Sequence, residues 1–363
     1  MKKKLLMTGA IASLLIGLLT GCGGTKDTSS AGKDAYKGET LNVLTWEGDI
    51  ADDVVTAFEQ EYGVDVNVTY VEDTNTILAK MLQGNSEYDV IDVESAYMKS
   101  FVDAKLLAPI DRDKLTNFDN IEPTYVEKGP IGDEDLQYCL PICGPLFTGV
   151  VVNKETCPIE ITSFKDLANP ELKGQIWCTN ATISLYAEAL LALGYSPCSS
   201  DENELNEAQA LLQDIKKNVK AFGASSVSPL ETGDCSVAFT YDYNVLMFDD
   251  DANWDKFEMI PTETLGYTQY WTVAASSKNQ DLATEFINYT YSAESAAALA
   301  NEWGGVPVVK SDLIKDSVAD NYFDNPIIQE FADMWPDHED LCVSDEQTAI
   351  MDTLYNELMS GEQ

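Results

Sequence analysis

The chain has 363 residues and a formal net charge of −40, with 62 acidic residues against 22 lysines and arginines. This charge argues against nucleic acid or an anionic lipid surface as a partner, because both are themselves negative. The chain has one arginine (Arg112) and one histidine (His338). It therefore lacks the usual arginine clamp for carboxylates and phosphates, and it lacks the side chains for a His-rich metal site. A Ser-His-Asp triad is also disfavoured.

The first 22 residues predict a bacterial lipoprotein signal. Three lysines at 2–4 precede an apolar run over 5–19, and small residues then lead to Cys22. We expect residues 1–21 to be removed and Cys22 to carry lipid, so that the mature protein lies outside the cytoplasm and touches the membrane through its lipid alone. The alternative is an ordinary secretory signal with a chance cysteine. Residues 22–40 are small and polar, and they predict a flexible linker.

Strand-like and helix-like segments alternate from residue 41 onward. Residues 41–45 predict a strand, and residues 52–62 predict a helix whose apolar side chains share one face and which Gly63 caps. Residues 64–71 alternate with period two and complete a βαβ unit, which implies parallel strands. The later predicted elements are a helix over 75–83, a strand over 88–93, a helix over 96–104, strands over 147–154 and 174–179, helices over 185–193 and 204–219, strands over 236–241 and 270–276, and helices over 281–291, 296–302 and 346–359. An α/β fold with helices on both faces of its sheet follows.

Seven cysteines follow Cys22, and an odd number cannot all pair within the chain. Their spacing leaves the pairing open. Cys139 and Cys143 have a spacing that some zinc sites use, but no second pair and no suitable histidine completes such a site. On a strand these two would lie about 13 Å apart, which is too far for a disulfide, so we interpret them as buried thiols.

Aromatic and acidic side chains follow three of the predicted strands. In open α/β sheets, ligands bind outside the carboxyl ends of the strands. The candidate ligand-binding residues at these ends are Trp46, Glu47 and Asp49 after the first strand, Glu94, Ser95 and Tyr97 after the third, and Tyr241 and Asp242 after strand 236–241. Rings and carboxylates without a basic residue among them suit an ammonium group, through cation–π attraction and charge-assisted hydrogen bonds.

Each candidate also has an ordinary structural explanation. Trp46 can fill the core at a strand end, and Tyr97 can belong to the apolar face of its helix. The acids can be solvated turn residues or helix caps. The prediction of a site therefore depends on the convergence of these positions and not on any one of them.

Seven segments resemble, in order, the spermidine/putrescine-binding proteins of ABC transporters. They are LNVLTWEGDIADDVVTAFEQEYGVDVNV, SEYDVIDVESAY, LLAPIDRDKLTNFDNIEP, NPELKGQIWCT, ALLALGYSPCSSDENELNEAQALLQDIKKNVKAF, GDCSVAFTY and KNQDLATEFINYTYSAESAAAL. The likeness extends over nearly all of residues 41–310. It implies a two-lobed periplasmic-binding-protein fold, similar to type II, in which two α/β lobes joined by two crossing strands close over a ligand and dock on a membrane permease.

The resemblance also divides the chain. The implied divisions are a signal peptide over 1–21, a lipid-anchored linker over 22–40, a first lobe over 41–146 and 272–304, and a second lobe over 147–268 and 305–363, with the crossing strands near 145–150 and 265–272. A monomeric receptor is implied, with no cofactor, no metal and no catalytic residue.

Some family site positions are matched and others are not. Trp46, Ser95 and Tyr97 match, and Tyr241 replaces a tryptophan with another ring. The family's two amine-gripping acids fall on Ala181 and Ser184, beside Asn180, and its Trp-x-Asp falls near Tyr270 and Trp271 without an acid; Glu47, Asp49, Glu94 and Asp242 are the acids that can restore negative charge. The resemblance therefore implies a cleft for an amine, but with rearranged carboxylates.

We expect a lipid-anchored, extracytoplasmic receptor of an ABC importer that captures a small cationic or nitrogenous solute, such as spermidine or putrescine, and delivers it to a permease. Because the family's carboxylates are missing, a different amine is the alternative ligand. A carboxylate-dependent hydrolase or a surface adhesin is the alternative from another class. The sequence shows no nucleophile elbow or phosphate loop for the former, and the latter requires a large exposed apolar patch.

Overall fold

The computed structural model describes residues 34–71, 74–84, 87–144, 146–223, 227–241, 256–260, 262–263, 265–303, 306–318, 322–324, 333–335 and 338–361. The described strands are β1 (Thr40–Trp46), β2 (Asp65–Val71), β3 (Val90–Glu94), β4 (Leu107–Ala108), β5 (Cys139–Pro141), β6 (Leu146–Asn153), β7 (Ile176–Thr179), β8 (Val219–Gly223), β9 (Val237–Tyr241), β10 (Phe257–Ile260), β11 (Leu265–Tyr267), β12 (Gln269–Ala274) and β13 (Glu339–Asp340). The described α-helices are α1 (Asp52–Tyr62), α2 (Thr74–Leu82), α3 (Met98–Asp103), α4 (Thr182–Leu193), α5 (Glu202–Lys216), α6 (Val227–Glu231), α7 (Gln280–Thr290), α8 (Ala293–Trp303), α9 (Ser311–Ile314) and α10 (Asp345–Ser360). None of these helices is both long and apolar enough to cross a membrane.

The strands form two sheets, one in each of two lobes. The first sheet has the order β2-β1-β3-β12-β4, with β5 also paired to β12. In it β1 runs parallel to β2 and to β3, which confirms the predicted βαβ unit, while β12 runs antiparallel to β3. The second sheet has the order β13-β11-β6-β9-β7-β8, with β10 paired to β6. The predicted α/β class is confirmed.

The chain crosses between the lobes at two strand-to-strand junctions and again before β13. It leaves the first sheet after β5 and joins the second at β6, and it returns where β11 ends and β12 begins. The first crossing follows Pro141 and lies just before the predicted range of 145–150. Thr268 alone separates β11 from β12, so the second crossing lies within the predicted range of 265–272. The carboxyl ends of β1 and β3 adjoin the start of β12, and we call residues 45–49, 92–95 and 268–269 the inter-lobe edge.

The first helix shows how the local sequence sets the scaffold of this edge. Val54, Phe58 and Tyr62 are the buried face of α1, and the Phe58 ring stands edge-on to Phe286 of α7 at 5.1 Å between centroids. Gly63 ends the helix in the left-handed conformation, with φ of 66°, and its N–H donates to the Glu59 carbonyl at 2.8 Å. The predicted helix and its glycine cap are therefore confirmed.

The predicted helix over 204–219 is too long. Helix α5 ends at Lys216, and β8 begins at Val219, where it pairs in parallel with β7. Asn218 fixes the turn between them, because its side-chain amide donates to the carbonyls of Leu167 and Asn169 at 2.9 and 2.8 Å. Four further strands were not predicted from the sequence: β4, β5, β11 and β13. Each has two or three residues, which are too few to show a hydrophobic period.

Part of the predicted linker belongs to the folded lobe. The Tyr36 ring lies 6.3 Å from the Tyr62 ring, and the Gly38 N–H donates to the Gly63 carbonyl at 2.7 Å. Residues 34–40 therefore pack on the first lobe, which corrects the linker boundary of 40. The predicted signal and Cys22 lie outside the described residues.

Residues 306–318 pack with the first lobe, whereas the sequence placed them in the second. Pro307 and Val309 form β-bridges to Cys143 and Ile121, and the Glu122 N–H donates to the Val308 carbonyl at 2.8 Å. The chain joins the second sheet only at β13. The resemblance gave no segment beyond residue 310, so these backbone pairings had no sequence signal.

A disulfide joins Cys198 to Cys342, with the two Cα atoms 5.4 Å apart. It ties the loop after α4 to the segment before α10, and the Gln347 side-chain amide donates to the Pro197 carbonyl at 2.7 Å beside it. This pairing resolves the connectivity that spacing left open. Cys139 and Cys143 are buried thiols outside this disulfide, as predicted.

Candidate functional site

The inter-lobe edge contains a group of acids centred on Asp92. Asp92 lies on β3 and is fully buried. Its Oδ2 atom accepts hydrogen bonds from Thr45 Oγ1 at 2.8 Å and from the Trp46 N–H at 3.4 Å. The parallel register of β1 and β3 puts Thr45 beside Asp92, and the carboxyl of Asp49 reaches back from the following turn to hydrogen-bond with that of Asp92. A buried acid thus anchors the end of the first strand.

Glu94 and Gln269 extend this group toward the crossing. They are paired residues of β3 and β12, so their side chains lie on the same face of the sheet. Glu94 Oε2 accepts a hydrogen bond from Thr74 Oγ1 at 3.0 Å. With its amide nitrogen toward Asp49, Gln269 donates to both carboxyl oxygens of that residue, at 2.8 Å for Oδ1. Three carboxyls from two segments, β3 and the turn after β1, therefore meet beside neutral donors.

The three carboxyls are difficult to ionise together. Burial raises the pKa of Asp92 to about 6 and that of Glu94 to about 7. Burial, followed by the nearby charge of Asp92, raises the pKa of Asp49 well above its ordinary value. The groups that act on them are carboxyls and neutral hydrogen-bond partners, and none of those described is basic. A cation placed here would favour the ionised carboxylates.

Three buried polar atoms of the edge have no hydrogen-bond partner among the described residues. They are Asp92 Oδ1, Trp46 Nε1 and Thr268 Oγ1. Nearly all buried polar groups in proteins are paired, so unpaired ones call for an explanation. Their position at the edge between the lobes, next to the acids, is consistent with a ligand-binding surface.

An aromatic cluster from both lobes lies on the opposite face of the same edge. Trp46 and Tyr97 of the first lobe pack in one cluster with Tyr241 and Tyr267 of the second. The Tyr241 and Tyr267 rings are 5.8 Å apart and inclined by 71°. Tyr267 was not predicted from the sequence. Its signal was available, because it lies two residues before Gln269 in the crossing segment.

Five of the predicted first-lobe residues lie in the inter-lobe edge: Trp46, Glu47, Asp49, Glu94 and Ser95. Ser95 is buried and clamps the crossing, since its N–H donates to the Thr268 carbonyl at 2.8 Å and its Oγ accepts from the Thr268 N–H at 3.2 Å. Glu47 is exposed on the turn, and Tyr97 is buried in the aromatic cluster. Asp92 was missed because it reads as part of an apolar strand.

Tyr270 and Trp271 belong to the core, which corrects their predicted role. Trp271 is 1% exposed, and its ring lies 6.1 Å from Phe286. Tyr270 is 2% exposed and packs on the other face of β12. The physical reason is register: the strand starts at Gln269, so each later residue lies deeper in the sheet.

The predicted second-lobe residues do not join the acid group through any described contact. Asn180 is exposed, and its Oδ1 accepts from the Tyr355 hydroxyl at 3.3 Å. Ser184 is buried on α4, and Tyr241 ends β9 in the aromatic cluster. Asp242 lies outside the described residues. No three or more described His, Cys, Asp or Glu side chains are arranged to hold a metal ion.

The second lobe has a buried acid of its own, Glu188, which the sequence did not reveal. It lies on α4, and its two oxygens accept from Thr148 Oγ1 at 2.7 Å and Thr262 Oγ1 at 3.2 Å. Thr148 pairs with Tyr241 across β6 and β9, so Glu188 lies near the aromatic cluster. Burial raises its pKa to about 8.

Glu188→Gln is expected to flatten the pH dependence of stability. The folded protein keeps Glu188 protonated up to about pH 8, whereas an unfolded glutamate loses its proton near pH 4.3. Wild-type stability is therefore lost as pH rises through this window, and glutamine, which cannot ionise, avoids that loss. Thermal unfolding at about pH 5, 7 and 9 should show that the midpoint of the variant increases relative to that of wild type as pH rises. Glu258→Gln, at an exposed position of β10, is the control. Parallel curves for wild type and Glu188→Gln would contradict the assignment.

Two curated relatives resemble the chain over most of its length. The spermidine/putrescine-binding periplasmic protein of Escherichia coli is 26% identical over 278 residues, which cover 73% of this chain and 76% of the relative. The putrescine/cadaverine-binding protein of Pseudomonas aeruginosa is 27% identical over 320 residues, which cover 84% of this chain and 86% of the relative.

A solved structure and a family model also match most of the chain. The spermidine/putrescine ABC transporter substrate-binding protein of Streptococcus pneumoniae superposes with a TM-score of 0.70 at 19% identity, covering 89% of this chain and 99% of that one. This likeness supports the two-lobed fold. The model of the bacterial extracellular solute-binding proteins matches residues 53–322. The chain therefore belongs to the bacterial extracellular solute-binding protein family.

Proposed function

We propose that this protein is the substrate-binding lipoprotein of an ABC importer, and that it captures a small polyamine or a related amine between its lobes. The observation that carries the proposal is the inter-lobe edge, where Asp49, Asp92 and Glu94 meet and the described groups acting on them include no base. Trp46 presents an aromatic ring on the opposite face of the same edge. Acids and rings together bind ammonium groups through charge-assisted hydrogen bonds and cation–π attraction.

The relatives support the amine class. Both are named for binding putrescine, together with spermidine in one and cadaverine in the other. These ligands are short chains with an ammonium group at each end. We propose that one ammonium group binds beside Asp49 and Glu94, and that Tyr241 and Asp242 contribute from the second lobe.

The distribution of acids favours an alternative ligand as well. The second lobe has Ala181 and Ser184 where the polyamine binders carry two acids, and Asn180 beside them is neutral. The described acids of the edge are concentrated in the first lobe. An amine with one cationic end is therefore the second candidate.

The rest of the proposed role follows from the architecture and the N-terminus. A solute that contacts both lobes shifts the equilibrium between open and closed forms toward the closed one, which a permease can distinguish. Lipid on Cys22 would hold this monomeric receptor at the outer face of the membrane. Binding without turnover is proposed, in agreement with relatives that are named as binding proteins; a hydrolase or an adhesin would instead turn over a substrate or show no small ligand.

A thermal-shift panel on the full-length protein in detergent tests this function. The solutes are putrescine, cadaverine, spermidine, n-butylamine, a neutral sugar and glutamate. A ligand at 100 times its dissociation constant adds about 2.7 kcal/mol of stability. The proposal predicts raised midpoints for amines only. A shift with the sugar or glutamate and none with any amine would reject it.

A further inference from the structure

Two carboxyl groups at the inter-lobe edge, those of Asp49 and Asp92, lie in hydrogen-bond contact. A carboxylate has only acceptor oxygens, so two carboxyls form a hydrogen bond only when one of them carries a proton. Asp92 is fully buried, and its Oδ1 atom receives no donor from the described residues, while Oδ2 already accepts from Thr45. The pair therefore needs one proton to complete its hydrogen bonding.

Among the residues that the structure describes, the groups facing this pair supply no positive charge in place of the proton. On β3, Glu94 is a third acid. On β1 and β12 the neighbours are the neutral donors Thr45 and Gln269. The turn after β1 and the start of α1 carry further acids, namely Glu47, Asp52 and Asp53. Every adjoining element thus presents an acid or a neutral donor.

We propose that Asp49 and Asp92 share one proton while the cleft is empty, and that an ammonium group of the captured solute displaces it by binding beside Asp49. Asp49 is partly exposed, and Asp92 lies behind it. The exchange balances: the proton passes to solvent as one ammonium group arrives, so the net charge of the occupied pair equals that of the empty pair. The displacement of the proton by an ammonium group rests on the proposed function. This displacement makes Asp92 a positioning residue that couples ligand binding to pH.

The electrostatics of the pair agree with this exchange. Burial raises the pKa of Asp92 to about 6, and burial together with the charge of Asp92 raises the pKa of Asp49 well above its ordinary value. Near neutral pH the pair keeps a proton that aspartates in water have lost. A cation beside Asp49 favours the carboxylate. Amine binding is therefore expected to strengthen as pH rises from about 5 to about 8.

Proton release can be counted directly. Isothermal titration of the full-length protein with putrescine near neutral pH, in buffers of different ionisation enthalpy, gives the number of protons released. We expect Asp92→Asn to release about one proton fewer than wild type, because the asparagine amide donates the hydrogen bond that the shared proton supplied. Glu94, whose pKa burial raises to about 7, is present in both proteins, so the difference between them removes most of its contribution.

The control for net charge is Asp53→Asn, which removes one exposed acid from the first turn of α1. It should keep the wild-type proton count. Equal counts in wild type and Asp92→Asn would overturn the exchange. If Asp92→Asn does not fold, Asp49→Asn provides the same test, since its amide donates across the same contact.

A ligand-free measurement separates the shared proton from the proposed function. The folded pair holds its proton well above the unfolded aspartate pKa of about 3.9, so rising pH favours unfolding more in wild type than in Asp92→Asn. We expect the thermal midpoint of wild type to fall more steeply between about pH 5 and 7, and parallel curves would refute the shared proton. If the curves differ but putrescine does not bind, the shared proton stands, while the exchange and the polyamine function fail. If putrescine binds with equal proton counts, only the exchange fails.

Discussion

Asp49→Asn is expected to weaken putrescine binding by about ten- to a hundredfold near neutral pH, because a charge-assisted hydrogen bond contributes about 1.5–3 kcal/mol and each 1.4 kcal/mol is a factor of ten. Asp49 is the partly exposed acid of the inter-lobe edge, and it is the carboxyl that Gln269 orients. The variant keeps the size of the side chain and removes its charge. Titration calorimetry on the full-length protein measures the loss.

The matched control is again Asp53→Asn, which makes the same chemical replacement at an exposed position of the same lobe. If binding were governed by the general negative field of a chain with a net charge of −40, the two variants would lose affinity equally. Contact with the ligand instead predicts a loss confined to Asp49→Asn. An unchanged affinity in Asp49→Asn would remove this residue from the site. Repeating both titrations at higher salt strengthens the distinction, because salt screens the general field more than a local contact.

The double variant Cys198→Ser, Cys342→Ser is expected to lower the stability of the second lobe by about 2–4 kcal/mol. The disulfide closes a loop across a sequence separation of 144 residues. A cross-link over so long a segment restricts the unfolded chain strongly. It also holds the segment before α10, whose Met351, Leu354 and Leu358 pack in the core of that lobe. Thermal unfolding without reductant measures the effect as a lower midpoint.

Cys157→Ser is the control for that variant, because Cys157 is a partly buried thiol outside the disulfide. Its midpoint should stay close to that of wild type. Adding a reductant to wild type should reproduce the midpoint of the double variant and should not change the double variant itself. A double variant as stable as wild type would show that packing of α10 alone fixes the C-terminal segment.

Long periodic elements were predictable from the sequence, and short ones were not. Helix α1 carried both an apolar face and a terminal glycine, and the strand after it alternated clearly, so the structure confirms both. Strands β11 and β13 have three and two residues, and they exist because the crossing and the C-terminal segment bring distant backbones together. Such pairing forms only when the chain is folded, and no local hydrophobic period in the sequence predicts it.

The candidate site was partly predictable for a topological reason. Strand ends point to one edge of a parallel sheet, which is why Trp46, Asp49 and Glu94 were found together. Asp92 lies inside a strand, and only the register with β1 reveals that it supports Asp49. Trp271 was misplaced because its depth depends on where β12 begins. A polar residue inside an otherwise apolar strand is the signal that would have found Asp92.

Calorimetric titration of the full-length protein with putrescine, n-butylamine and 1,4-butanediol tests the capture of a cation most directly. The three ligands share a four-carbon chain and differ in carrying two, one or no ammonium groups. We predict that putrescine binds, that n-butylamine binds no more tightly than putrescine, and that 1,4-butanediol gives no binding heat, because the acids of the inter-lobe edge require a positive partner. Binding of 1,4-butanediol as tight as that of putrescine, or no binding by either amine, would contradict the account.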